Sequence, residues 1–228
     1  MWHQFDDAQI CTDALVADIR FLLEKTIIEK NHAVLAVSGG RSPAALFDAL
    51  SRTDIGWDKV HIILVDERYV EPDHKDSNER LAREHLLQNH AAKAQFTGLA
   101  HQTPTLEDDV RQASQSLPEP DLIVLGMGDD GHIASLFPHA KQLPEGLSTT
   151  DAATARYIHV TPPNAPHERI SMTLSAMQKA DCLILEIQGP TKRDVFERAS
   201  LRVSDDYPVS HLLSKGWAGA PLQIYWHP

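Results

Sequence analysis

Asp130 and His132 stand two residues apart in the stretch "LGMGDDGHIASLFP" (125–138). A carboxylate beside an imidazole can fix its tautomer and stabilise the imidazolium. An imidazole that titrates near neutrality suits general acid–base work. Around the pair, Gly126, Gly128 and Gly131 spell a literal G-x-G-x-x-G. In a dinucleotide-binding protein those glycines bring backbone N–H groups against a pyrophosphate. Here the adjacent Asp129 and Asp130 would repel that ligand, and Pro138 cuts the following helix short. The acidic residue at the customary distance, Asp151, falls in "STTDAAT", which is no strand end. The glycines therefore read as turn-formers that display a base. The plainer alternative is that Asp130 caps a short helix and His132 is a satisfied, half-buried polar residue.

Two further motifs carry cations where helices should begin. In "SGGRSP" (38–43) and "GPTK" (189–192), Arg41 and Lys192 lie near an N-terminal turn, where the helix dipole disfavours positive charge. They are either exposed side chains that extend into water or partners of a bound anion. An anion would offset the repulsion and bond to the N–H groups of Gly39, Gly40 and Ser42, with Ser38 beside them. No G-x-x-x-x-G-K-[ST] pattern is present, which favours a sugar phosphate over a nucleoside triphosphate. "VDERYV" gathers Asp66, Glu67 and Arg68, charges that are costly to bury unless they pair or bind something. Arg68 is the natural probe for a polar substrate, with Asp66 and Glu67 holding it or bonding hydroxyls. "HERISMTLSAM" (167–177) adds Arg169 as a second candidate, while Met172, Leu174 and Met177 read as core. G-x-S-x-G is absent, so no nucleophile elbow is signalled. The histidines are scattered without an H-E-x-x-H; His85 and His90 would face differently on a helix, and no metal site is expected.

These motifs need elements to hold them. Residues 8–30 place Leu15, Ile19, Leu22 or Leu23, and Ile27 on one face of an amphipathic helix. "AVLAV" (33–37), "HIILV" (61–65), "DLIVL" (121–125) and "LILEI" (183–187) are near-continuous apolar runs, as buried strands of a parallel sheet are. "QIYWH" (223–227) is a last strand. "PAALFDAL", "SNERLAREHLLQNH", "TLEDDVRQASQSL" and "PTKRDVFERAS" read as helices, with Pro43 and Pro190 at first helical positions and Thr105 as an N-cap. Residues 139–168 read as loops around a strand at "RYIHV". The expected fold is a Rossmann-like α/β three-layer sandwich: a mostly parallel sheet, helices on both faces, one domain over 1–228. The motifs "SGGRSP", "DER", "GMGDDGH" and "GPTK" each follow a strand directly, at the edge where such sheets bind ligands.

Composition narrows the partners. Acidic residues outnumber basic ones by 32 to 21, a formal net charge of -11, which argues against nucleic acid and requires local cations for any anionic substrate. The two cysteines, Cys11 and Cys182, form no framework or C-x-x-C, as suits a reducing cytosol. "MWHQFDDAQI" has no signal-peptide character, and no apolar run reaches the roughly 20 residues of a membrane span. A cytoplasmic protein is expected, and the lack of an obvious exposed apolar stripe points to a monomer.

"VSGGRSP", "VDERYV", "DSNER", "GMGDDGHIASLFP", "ERISMTLSAM" and "GPTKRDVFERA", in this order over about residues 30–200, resemble the 6-phosphogluconolactonases. That family shares a Rossmann-like sheet with the glucosamine-6-phosphate deaminases. The resemblance implies hydrolysis of a phosphosugar lactone with no cofactor, metal or covalent nucleophile. It makes His132 the general base, Asp130 its carboxylate, Arg68 and Arg169 substrate-facing, and Ser38 to Ser42 with Lys192 the phosphate site. Ile133 stands where lactonases commonly carry threonine, and Asp129 adds a charge beside the base. Against a deaminase, Phe137 replaces that family's glutamate and Arg68 its tyrosine. A deaminase or isomerase, a non-catalytic sugar-phosphate sensor and a dehydrogenase are the alternatives.

Overall fold

The computed structural model describes residues 1–40, 42–149 and 155–228. Its strands are β1 (Trp2–Gln4), β2 (Ala33–Val37), β3 (Val60–Leu64), β4 (Asp66–Arg68), β5 (Gln95–Thr97), β6 (Leu122–Gly126), β7 (Tyr157–Val160), β8 (Arg169–Met172), β9 (Cys182–Gln188) and β10 (Leu222–His227). The helices are α1 (Ala8–Lys30), α2 (Ala44–Ser51), α3 (Asn78–Leu81), α4 (Leu106–Ser116), α5 (Leu143–Leu147), α6 (Leu174–Met177), α7 (Gly189–Leu201) and α8 (Ser210–Leu213).

Seven strands form one sheet in the order β1-β10-β9-β6-β2-β3-β5, and every neighbouring pair in it is parallel. The expected mostly parallel sheet is thus wholly parallel. Antiparallel pairing is confined to a second sheet, β4-β8-β7. The five residues of β2 are all buried, because β2 lies between β3 and β6 in the middle of the sheet. That placement explains a run of apolar residues without alternation.

α1 matches its expected span. Asp7 caps it by accepting the Ile10 N–H at 2.8 Å, and Asn31 ends it in the left-handed region at φ 60°. Leu15, Ile19 and Leu23 are fully buried, with Leu22 and Ile27 at the margin of the core. Across the sheet, α1 meets β2, β6 and β10. Thr105 caps α4 by accepting the Asp108 N–H at 3.2 Å. Pro43 is the residue before α2 rather than its first, while Pro190 lies in the first turn of α7.

Three expectations change. "SNERLAREHLLQNH" is a broken helix: α3, then a wide π turn over Ala82–Leu86, then a 3-10 turn over Asn89–Lys93. Side chains here bond across to α2, His85 to Asp48 at 3.0 Å and Asn89 to Ser51 at 3.0 Å. Tertiary contacts thereby override local propensity. No helix follows Gly131; bridges from Ile133 to Met127 and Leu136 fold the segment into tight turns. The region expected as loops around one strand also contains α5.

The two sheets join at Val65. Its N–H donates to Val37 C=O at 2.9 Å, continuing the β2–β3 pairing, while its C=O accepts from Met172 N–H at 2.8 Å, opening the β4–β8 pairing. Tyr157 of β7, 1% exposed, donates its hydroxyl to Leu64 C=O at 2.8 Å and locks the second sheet to the end of β3. Tyr157→Phe should cost about 1–2 kcal/mol, the scale of one buried hydrogen bond. Equilibrium urea denaturation should show a lower midpoint with an unchanged slope.

Candidate active site

From β2 the chain runs to β3 on one side, and from β6 to β9 on the other, so a switch point lies between β2 and β6. Ligands in open α/β sheets bind in the crevice outside such strand ends. A cleft of about 500 Å³ opens there, lined among others by Ser38, Asp66, Arg68, His132, Glu186 and Lys192. Gly39, Gly40 and Ser42 line it as well. Arg41 lies outside the described residues.

His132 is held on three sides. Its Nδ1 lies 2.5 Å from Asp130 Oδ1, and its backbone N–H donates to the same oxygen at 3.1 Å. The Phe137 ring covers it at 4.3 Å between centroids. Burial raises the Asp130 pKa, yet the His132 side-chain bond, the imidazole charge and backbone N–H donors outweigh it, and the net shift is downward. An ionised carboxylate can only accept, so Nδ1 carries the proton and the Nε2 lone pair is left for a substrate. His132 lines the cleft whereas Asp130 stands behind it.

The glycine turn makes this pose possible. A Cβ on Gly128 would lie 2.2 Å from His132 Nδ1 and 2.8 Å from Asp130 Oδ1. Gly131 adopts φ +79°, which disfavours any side chain. Gly128 N–H returns to His132 C=O at 2.9 Å and closes the loop. Ile133, fully buried, is simply core.

The "DER" motif forms β4 and serves three purposes. Asp66 is buried and lines the cleft, accepting from Ser135 Oγ at 2.5 Å and lying 3.4 Å from Asn78 Nδ2. Glu67 is not among the cleft-lining residues. Its Oε1 accepts from the N–H groups of Arg68 and Asn78 at 2.7 and 2.8 Å, and its Oε2 from the Ser77 hydroxyl and the Glu79 N–H at 3.0 and 2.7 Å. Burial still pushes its carboxyl up to about 7 against these donors. Arg68 enters the cleft while its Nη1 donates to Asp76 C=O at 2.5 Å.

Arg169 pairs with Arg68 across the β4–β8 ladder but is buried, and is not among the cleft-lining residues. Burial, then the Arg68 charge, lowers its pKa. Its Nε and Nη1 have no hydrogen-bond partner among the described residues, and the guanidinium sits 5.8 Å from the Phe137 ring centre. His74, Asp76 and His167 converge within 4.8 Å of one another close by. There His74 Nδ1 accepts the Asp76 N–H at 3.1 Å, and the Asp76 carboxylate meets His167 Nε2 at 3.1 Å. The His74 lone pair is therefore already used, and the trio clasps the loop after β4 to the loop before β8.

Four residues of the site escaped sequence reasoning. Asn78 donates Nδ2 to Asp66 C=O at 2.8 Å, and its Oδ1 would be 1.9 Å from a Cβ on Gly39, so the phosphate-type loop rests on its amide. "DSNER" signalled it only as a helix start. Ser135 bonds Asp66 as described. Glu186 and Gln188, at the end of β9, also line the cleft; Glu186 interrupts the otherwise apolar "LILEI", and that was its signal.

Fold and site together define an α/β protein with a carboxylate-backed imidazole facing a cation-bearing cleft at a switch point. The family of glucosamine-6-phosphate isomerases/6-phosphogluconolactonase matches residues 6–220. The 6-phosphogluconolactonase of Neisseria meningitidis serogroup A is 41% identical over 219 residues, 94% of each chain. That of Pseudomonas putida is 39% identical, covering 99% of this chain and 92% of the relative. The crystal structure of a 6-phosphogluconolactonase from Shewanella baltica OS155 matches with a TM-score of 0.91 at 34% identity, covering 100% and 97% of the two chains. The chain belongs to the glucosamine-6-phosphate isomerase/6-phosphogluconolactonase family.

Gly128→Ala should displace the imidazole without unfolding the protein. Two-dimensional ¹H–¹⁵N spectra of the imidazole should show the Nδ1–H tautomer of His132 in the parent and a mixture in the variant, with closely similar melting curves. An unchanged tautomer would mean that the glycine does not set the pose.

Proposed function

We propose that the protein is a 6-phosphogluconolactonase, hydrolysing 6-phospho-D-glucono-1,5-lactone to 6-phosphogluconate in the oxidative branch of the pentose phosphate pathway. The observation that carries this reading is the Asp130–His132 pair, 2.5 Å apart, with the imidazole facing a cleft that also holds Arg68 and Lys192. The family's other chemistry is disfavoured by Phe137, an aromatic wall against His132 where a deaminase has its glutamate.

His132 Nε2 takes a proton from water as the oxygen attacks C1, and Asp130 stabilises the imidazolium that results. The carbonyl π electrons move onto oxygen, where the Arg68 guanidinium or nearby backbone N–H groups meet the developing charge. Collapse breaks the bond from C1 to the ring oxygen, and the imidazolium returns its proton to that oxygen. The product carboxylic acid then ionises in water. Ser38, Gly39, Gly40, Ser42 and Lys192 take the phosphoryl group, with Arg41 expected to join them. Ser38 Oγ is buried without a partner among the described residues at this wall of the cleft, a hydroxyl prepared for a polar ligand. Asp66 suits a sugar hydroxyl. Arg169 acts behind the cleft, adding its positive field to that of Arg68. No described helix is long and apolar enough to cross a membrane, and we read the protein as a cytoplasmic monomer whose site is built from one chain.

The test is a coupled assay at slightly acidic pH, where the lactone opens slowly by itself. Glucose-6-phosphate dehydrogenase generates the lactone, and 6-phosphogluconate dehydrogenase reports product as NADPH. The parent should exceed the no-protein rate, His132→Ala should lose roughly 10²-fold or more in kcat, and Asp130→Asn at least about tenfold. A parent rate equal to the blank would defeat the assignment. Ammonia release from glucosamine 6-phosphate would put the deaminase in its place.

A further inference from the structure

Glu186 has no role in the scheme above, yet it lines the cleft on the wall given to the phosphoryl group. It lies fifth in β9, facing Gly126 of β6 and Tyr225 of β10 in register. An ionised carboxylate there would repel a phosphate dianion at close range. Among the described residues, the groups around it leave one counter-charge. From α7 comes Lys192, whose ammonium favours the Glu186 anion. From α1 comes the Cys11 thiol, pushed by burial and then by Glu186 itself up to about 12, hence neutral. From β10 comes the Tyr225 hydroxyl, raised by burial and by its bond to Asp18, also neutral. β6 contributes only Gly126, and the loops beyond β2 and β6 bring Ser38, Asp129 and His132 to the same cleft. Burial pushes the Glu186 carboxyl up to about 7, and Lys192 only partly opposes this. Among the described residues, neither the Glu186 carboxylate nor the Lys192 ammonium makes a side-chain hydrogen bond, so both can change partner.

We propose that Glu186 is the internal counter-charge of Lys192 in the free protein and takes up a proton from solvent when a phosphoryl group enters. Lys192 then turns its charge to the phosphate, and the neutral Glu186 carboxyl becomes a hydrogen-bond donor to a phosphate oxygen instead of a repelling anion. The inference rests on the phosphosugar reading of the cleft. Its sign is fixed. Above about pH 7 the free protein must bind a proton together with the ligand, so affinity falls as pH rises. Phosphomonoesters, with a second pKa of about 6, are already dianions there and cannot be the source of that trend.

Isothermal titration of 6-phosphogluconate at pH 8, in phosphate-free buffers of different ionisation enthalpy, measures the proton count directly. The parent should take up close to one proton per ligand, and its Kd should weaken by up to about tenfold per pH unit above 7. Glu186→Gln should bind with no proton uptake and a flat Kd over the same range. Lys192→Met should weaken binding at every pH. Binding by the parent without buffer-dependent heat, or the same uptake in Glu186→Gln, overturns the coupling alone. Absence of binding by the parent overturns the phosphosugar reading and the coupling with it.

Discussion

The site depends on one change of hydrogen-bond partner. β3 cannot continue in the parallel sheet beyond Val65, because that residue gives its N–H to β2 and its C=O to β8. The next three residues therefore belong to another sheet, turned so that Asp66 and Arg68 enter the cleft and Glu67 points away from it. Alternation along a strand does the sorting. Had the chain stayed in register with β2, the same three charges would have extended the edge of the main sheet. The Tyr157 hydroxyl on Leu64 C=O secures the step from below.

Glu67 converts this turn into a rigid support. Four donors on one buried carboxylate fix the start of α3, and α3 supplies Asn78, whose amide holds Asp66 and abuts Gly39. The "DER" and "SGGRSP" motifs, nearly thirty residues apart, thus form one structural unit. Rigidity here is useful, since small errors in placing a reacting group are expensive in rate. The clasp of His74, Asp76 and His167 extends the same support to Arg68 by way of Asp76 C=O.

Much of the arrangement was legible in the residues, and the losses have physical causes. The five apolar strands were found because central strands of a parallel sheet bury both faces. β1, β4, β5 and β8 were missed: the first three have only three residues, and β4 and β8 carry charge. Asp130 and His132 were found because strand end, glycines and charge coincide. The pose itself was not, since turns rather than a helix follow Gly131. Arg169 was expected in the crevice with Arg68, but register pairs them on one ladder and only Arg68 reaches the lining. Asn78 and Glu67 were unreadable as a pair, because their contact is tertiary. Glu186 was visible as a polar residue in an apolar strand, but its chemistry comes from α1 and α7, which no local pattern reveals.

β1 lies at the margin of the main sheet, where Trp2 faces Ile224 and Gln4 faces Trp226 of β10. β1 therefore has no partner until β10 has been made. Trp2 also stacks on Trp226 and packs at a tilt against Phe196, both far along the chain. During synthesis this aromatic segment must wait, unpaired, while the centre of the sheet assembles from β2, β3 and β6. Closure of that edge joins segments far apart in the chain, the kind of contact that slows folding. A newly made molecule should thus pass through a stage with a formed cleft and an unfinished border, in which β1 is the segment exposed to chaperones and proteases.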